Sequence, residues 1–203
     1  MFTGIIEKKG KIERIKERGK GKEIIIKIEN ANFKIGDSVN VDGVCLTVEK
    51  IKGEEYTFYI SEKTLRDTKF GKFLKRGMVV NIEEPLTLSK YIGGHLIQGH
   101  VDFFTKIKKI KKLKEEYEFE FELKKEFKKY IFKKVSIAID GVSLTVQEVK
   151  KETFKVTIIP YTFENTNLKY KREGDYVNVE CDFIIKGAIE FLKNYKLFPH
   201  SIF

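Results

Sequence analysis

Asp42-Gly43-Val44-Cys45-Leu46-Thr47-Val48 returns ninety-eight residues later as Asp140-Gly141-Val142-Ser143-Leu144-Thr145-Val146. Each copy opens on an Asp-Gly turn and runs into alternating apolar and polar residues, the period of a strand with one buried face. The same shift carries Ser38 onto Ser136 and Thr64-Leu65-Arg66-Asp67-Thr68 onto Thr162-Phe163-Glu164-Asn165-Thr166. A shift of ninety-seven carries Val80-Asn81-Ile82-Glu83 onto Val177-Asn178-Val179-Glu180, and Gly4-Ile5-Ile6-Glu7 falls on Gly99-His100-Val101-Asp102. Two copies of about 100 residues exceed the roughly 20–50 of a solenoid repeat, so this is a duplicated domain. Differences between the copies are where chemistry is to be sought.

Outside the repeated strand, period two continues in Glu23–Ile28, Ser38–Val41 and Tyr56–Ile60, with turn signals such as Gly36-Asp37 and Gly174-Asp175 between strands. About six short strands per half predict an all-β chain of two small closed antiparallel barrels, since closure removes sheet edges. The expected organisation is an N-terminal barrel over 1–92, a second over 93–186 and a terminal helix over 187–203. Helical spacing shows in Thr64–Phe70, in Leu123–Phe132, and most clearly in Ile184, Ile185, Ala188, Ile189, Leu192 and Tyr195 before Pro199. That last stripe has no counterpart in the first repeat. It reads either as docking onto its own barrel or as an oligomer contact.

Composition narrows the functional classes. The 203 residues carry 40 Lys+Arg against 30 Asp+Glu, a net charge of +10. The charges alternate in sign, as in Glu13-Arg14-Ile15-Lys16-Glu17-Arg18, which describes an ion-paired surface better than a nucleic-acid footprint. Abundant Lys and Glu beside two Gln residues fits a thermophile. No stretch approaches the roughly 18 apolar residues of a membrane span, and no signal peptide is visible. The two cysteines fall in equivalent-looking strands of different halves, with neither disulfide nor metal spacing, so the expected compartment is a reducing cytoplasm.

Two of the three histidines lie in Gly93-Gly94-His95-Leu96-Ile97-Gln98-Gly99-His100-Val101-Asp102. Glycines admit close backbone approach, and imidazole moves protons near neutral pH. The His-x4-His spacing lacks a third ligand at a recognisable interval, so no metal is expected. His95 reads as structural or ligand-positioning. His100 stands where the first repeat has Ile5, which makes the two halves unequal. Cys45 with Thr47, and Ser143 with Thr145, share a strand face and pair small polar groups suited to a pocket. Cys45 has no His beside it in sequence, so a Cys-His nucleophile is a weak reading.

The opening Met1-Phe2-Thr3-Gly4-Ile5-Ile6-Glu7, the two Gly-Val-x-Leu-Thr-Val strands, the Gly-Gly-His segment and Ile159-Pro160-Tyr161-Thr162, in this order, resemble the lumazine-binding-repeat family of the riboflavin synthases. The resemblance covers essentially the whole chain. It implies two six-stranded Greek-key barrels with a C-terminal oligomerisation helix, and dismutation of two 6,7-dimethyl-8-ribityllumazine molecules without cofactor or metal. It implies ligand contacts at Gly4, Ile5 and Ile6, at Ser38, Cys45, Leu46 and Thr47, and along Ser61, Glu62, Lys63, Thr64, Leu65 and Arg66. Further contacts fall on Gly94, His95, Gly99, His100 and Val101. In the second repeat they fall on Lys134, Ser143, Leu144 and Thr145, then on Ile159, Pro160, Tyr161, Thr162, Phe163 and Glu164. The implied catalytic set is His100, Ser143, Thr145 and Asp182, with Phe2 and Cys45 from the other barrel, and Ser143 and Thr145 supporting His100 through hydrogen bonds. Also implied is a homotrimer whose working site lies between subunits; docking with lumazine synthase stays open. Lys134-Val135 departs from the family's usual Lys-Gly, which puts the local backbone path in question. A non-catalytic lumazine or flavin carrier of the same fold is the alternative. A barrel for single-stranded nucleic acid would need a row of exposed aromatics and arginines that is missing here.

Overall fold

Period-two alternation resolves into twelve strands in the computed structural model, which describes residues 1–194. The first half contains β1 (Lys8–Arg18), β2 (Gly21–Ile28), β3 (Ser38–Val41), β4 (Val44–Lys52), β5 (Glu55–Ile60) and β6 (Val79–Glu83). The second contains β7 (Phe103–Leu113), β8 (Glu116–Glu122), β9 (Ser136–Ile139), β10 (Val142–Val149), β11 (Thr153–Ile158) and β12 (Tyr176–Cys181). Each set closes into an antiparallel barrel in the same order, β1-β2-β5-β4-β3-β6 and β7-β8-β11-β10-β9-β12. Bulges recur at matching places, Ile12/Arg14 with Ile107/Lys109 and Val48/Lys50 with Val146/Glu148, and supply the curvature that closure requires. Inward-facing side chains fill the barrels: Ile24, Ile26 and Ile28 in the first, Phe119, Phe121 and Phe154 in the second, all inaccessible to solvent. Val44, Leu46 and Val48 point inward with them, which leaves Cys45 and Thr47 on the outer face; β10 repeats this with Ser143 and Thr145.

Helical expectations are met with altered bounds. The Thr64–Phe70 helix is two pieces, α1 (Glu62–Asp67), capped by Ser61, and α2 (Phe70–Phe73). Between them the Lys69 backbone N–H donates to Asn178 Oδ1 at 2.8 Å, which draws the chain into the seam between barrels. The Leu123–Phe132 segment is a 3-10 helix over Lys125–Tyr130 that turns Leu123, Tyr130 and Ile131 into the second core. After α3 (Pro160–Asn165), α4 (Phe183–Asn194) starts four residues before the expected position 187 because the Asp182 carboxylate caps it, accepting from the Ile184 N–H at 2.9 Å. Tyr195 and Pro199 lie outside the described residues. No helix among those described is long and apolar enough to cross a membrane. The cysteines do not occupy equivalent strands: Cys45 is on β4 and Cys181 on β12, the counterpart of β6, and both are free thiols.

The barrels meet through their Asp-Gly turns around a pseudo-two-fold axis. Asp42 and Gly43 have φ of 48° and 84°, Asp140 and Gly141 46° and 80°, the left-handed pair of a type I′ turn. Each Asp accepts from a backbone N–H of its own barrel, Asp42 from Asn81 at 2.6 Å and Asp140 from Asn178 at 2.7 Å. The asparagines then cross over: Asn81 Nδ2 donates to the Asp140 carbonyl and Asn178 Nδ2 to the Asp42 carbonyl, both at 2.9 Å. Symmetry breaks at Lys69, whose counterpart is Asn167. The Lys69 ammonium, wholly buried, bridges both carboxylates at 2.7 and 2.5 Å, and Lys171 adds a contact to Asp140 at 3.0 Å. Burial pushes the Asp42 carboxyl up to about 6 against the pull of Lys69. Burial would raise Asp140 too, but Lys171 and Lys69 outweigh it and hold that carboxyl low.

Candidate active site

The segments leading into each barrel cross the seam before they enter it. Phe2 and Ile97 form an antiparallel bridge, with Phe2 N–H to Ile97 O at 2.8 Å and Ile97 N–H to Phe2 O at 2.9 Å. From that bridge each strap reaches the other repeat. The Gly4 carbonyl accepts from Ser143 N–H on β10 at 2.9 Å, and the Gly99 carbonyl accepts from Cys45 N–H on β4 at 3.0 Å. Ile6 packs on the second core and Val101 on the first. Close approach makes glycine obligatory at both crossings: φ is 78° in each, and a Cβ would stand 2.6 Å from Cys45 Cβ at Gly99 and 2.5 Å from Ser143 Cβ at Gly4. Two buried carboxylates anchor the straps. Glu83 accepts from Thr3 N–H at 2.7 Å and Gly4 N–H at 3.1 Å; Glu180 accepts from Gln98, Gly99 and His100 N–H at 2.7, 2.9 and 2.9 Å. Burial raises both carboxyls, Glu180 to about 7.

Two outward-facing sites follow. On the first barrel Cys45 is half-buried and Thr47 exposed, with Ser38 opposite Thr47 across the β3–β4 ladder. Ser61 and Thr64 join hydroxyls at 2.9 Å at the start of α1, and exposed His100 lies on the strap above. Leu46 is buried in the core, so it offers a ligand backbone only, and Leu65 also leans on that core. Glu62, Lys63 and Arg66 face solvent, the last two holding Asp67 at 2.7 and 3.2 Å.

On the second barrel, Ser143 Oγ lies 2.7 Å from His95 Nδ1, and Thr145 is exposed. Burial keeps the His95 imidazole below its ordinary pKa, with Asp182 opposing, so the ring favours the neutral form that exchanges a hydrogen bond with a hydroxyl. Gly94 is wedged where a Cβ would come within 2.2 Å of the Thr3 carbonyl oxygen. Ile5 occupies the place equivalent to His100 and is 49% exposed. Ile159, Pro160, Tyr161 and Glu164 present an exposed rim along α3, Thr162 is half-buried, and Phe163 stacks on Tyr117 with ring centres 3.7 Å apart. Leu144, like Leu46, turns its side chain into the core.

Three expectations change. His100 belongs with Cys45 and Thr47, because its strap crosses to the first barrel. Ser143 is therefore hydrogen-bonded to His95 rather than supporting His100. Phe2 is wholly buried in a cluster with Ile97 and Ala138, against which Cys45 packs, so it shapes the floor between barrels and presents no surface. The Val-Asn-x-Glu repeat was visible as a recurrence, but nothing local marked Glu83 and Glu180 as anchors. His95 and His100 lie on different barrels, and no group of three or more His, Cys, Asp or Glu among the described residues is arranged to hold a metal.

The family model of the lumazine binding domain matches this chain twice, over residues 3–84 and 98–182. The riboflavin synthase of Actinobacillus pleuropneumoniae is 37% identical over 194 residues, covering 95% of this chain and 90% of that protein. This chain belongs to the riboflavin synthase family. The Chlamydia pneumoniae riboflavin synthase is 39% identical and covers 95% and 96% of the two chains. The fold is shared with LumP, solved in complex with 6,7-dimethyl-8-(1′-D-ribityl) lumazine, at a TM-score of 0.81 and 23% identity over 89% of this chain and 98% of that one. Members of the riboflavin synthase family thus match it across both barrels and both straps.

Proposed function

We propose that this chain is a transferase that dismutates 6,7-dimethyl-8-ribityllumazine: one molecule gives four carbons to the other, yielding riboflavin and 5-amino-6-ribitylamino-uracil. Carbon, hydrogen and electrons balance between the two lumazines, so one is donor, the other acceptor, and no further reactant enters. The observation that carries this reading is a pair of outward sites on one scaffold, alike in backbone and unlike in side chains. Each offers strand and strap backbone to a flat heterocycle and hydroxyls to a ribityl chain, Ser38 and Thr64 on one barrel and Thr162 on the other.

The chemical difficulty is removing a proton from the acidic ring-7 methyl and holding two rings in reacting orientation. Orientation of two reactants supplies a large part of such a rate. In this reading His100, beside Cys45 and Thr47, is the proton-transfer group at the first-barrel site. Ser143 with Thr145 faces the second lumazine, His95 orients the Ser143 hydroxyl, and Asp182 lies close enough to act on the His95 charge. Lys134 adds a cation beside that site, and Phe2 holds the floor. The working pair forms between the first barrel of one subunit and the second barrel of another, in a homotrimer joined through α4. The free thiols fit a reducing cytoplasm.

The test is direct. Purified protein given the lumazine should release riboflavin and the uracil product in equal amounts. His100→Gln should lower turnover at saturating lumazine on the order of 10²-fold while binding changes a few-fold, and His95→Gln should slow it less. Lumazine binding without turnover by the parent would instead make the chain a ligand carrier.

A further inference from the structure

Glu83 and Glu180 close the two Val-Asn-x-Glu motifs, on β6 and β12, and are 1% and 2% exposed. A carboxylate this deep is costly unless its oxygens are met, and strap backbone amides, rather than hydrogen-bonded side-chain cations, are the partners common to both. The two anchors are not copies. Glu83 holds Thr3 N–H, the Thr3 hydroxyl and Gly4 N–H, and also accepts from Asn40 Nδ2 at 3.4 Å. Its bonds to the strap end one residue before Ile5. Glu180 reaches one residue further and takes the N–H of His100 itself at 2.9 Å. The strap is pinned again beyond His100: Asp102 accepts from Cys181 N–H at 2.8 Å and from Lys186 Nζ on α4 at 2.8 Å. His100 is exposed on a strap whose neighbouring residues are buried or half-buried, and between two anchors its side chain loses the freedom that would spoil a proton transfer, where small misplacements cost rate steeply.

We propose that Glu180 is a positioning residue for the reaction, clamping the Gln98–His100 amides so that the His100 imidazole of the second repeat is held over the ligand site of the first. The assignment rests on the reading of His100 as proton-transfer group. It makes the first barrel's chemistry depend on a carboxylate built into the second barrel. It also explains why the acidic end of the repeated motif persists in both copies while its reach differs: the longer grip occurs where the strap carries an imidazole instead of an isoleucine.

Glu180→Gln keeps the size but turns one acceptor oxygen into a donor that faces backbone N–H groups. At saturating 6,7-dimethyl-8-ribityllumazine it should lower turnover about tenfold or more in the parent background, yet less than about twofold when His100 is already Gln, because residues acting as one unit are not additive. Equal losses in both backgrounds would overturn the clamp while leaving His100 its role. A His100→Gln variant that turns over at the parent rate would remove that role and the inference together. Should Glu180→Gln fail to fold, amide exchange in the parent decides: Gly99 and His100 N–H protected within about tenfold of the β12 amides support the clamp, and exchange at exposed-loop rates overturns it.

Discussion

Lys134 adopts a backbone conformation that a lysine rarely takes. Its φ is 76°, and its counterpart in the first repeat, Gly36, has 94°. Both make the same bond, Lys134 N–H to Val146 O at 2.8 Å and Gly36 N–H to Val48 O at 2.9 Å, so the turn demands the left-handed region in either copy. The departure at Val135 leaves the path intact, because that side chain enters the core at 6% exposure while the residue before it takes the strain. A Cβ in this conformation costs roughly 1–2 kcal/mol, and a lysine kept there in spite of it fits the ligand-facing role proposed above. Lys134→Gly should therefore leave the melting temperature unchanged or raise it by up to about 3 °C, glycine's extra unfolded-state freedom offsetting part of the relief. Lumazine affinity measured on the same sample should fall. A melting temperature lowered instead would mean that the lysine side chain supports the fold.

Strands declared themselves in the sequence because period two needs only local alternation, and β4 and β10 stand where the repeated heptapeptides put them. The straps did not, since a bridge one residue wide at Phe2 and Ile97 has no period to read. That is why His100 was legible as an asymmetry but its barrel was not, and why Ser143 was paired with the wrong histidine. The terminal helix was legible by spacing, and the reading that docks it onto its own barrel is met. Ile185 and Ile189 pack on the second core, while Ile184, Ala188 and Phe191 recur at helical spacing on the outer side, Ile184 and Phe191 being 59% and 54% exposed. An outer stripe of that kind suits a second copy of the chain. Ile184→Glu combined with Ala188→Glu removes no core contact, so the barrels should keep their circular dichroism. Light scattering should then report monomers, with turnover lost alongside the inter-subunit site. A double variant that keeps both parent mass and turnover would detach the helix from assembly.

At the scale of the molecule, duplication predicted two barrels but not what joins them. Lys69 is one of 40 basic residues, and nothing beside it in sequence distinguishes it as the cation buried between two aspartates. Replacing the Asp42 carboxylate by an amide keeps one oxygen that accepts from Asn81 N–H, as Asp42 does at 2.6 Å, but turns the NH2 toward the Lys69 ammonium that the other oxygen now holds at 2.7 Å. What it removes is a titration. Burial lifts Asp42 from 3.8 to about 6, so between those values the folded protein holds a proton that the unfolded chain has released. The stability contributed by this group is full below 3.8 and is lost as pH rises through about 6. Asp42→Asn abolishes that loss, while Asp140, held low by Lys171 and Lys69, stays ionised across the window, and the strap anchors Glu83 and Glu180 titrate in parent and variant alike. The melting temperature of the variant relative to the parent should therefore increase from pH 4 to pH 7, whichever protein is the more stable at either end. A difference that stays flat or falls across this window would show that Asp42 is ionised throughout, with Lys69 and Lys171 strong enough to hold both carboxylates charged at the seam.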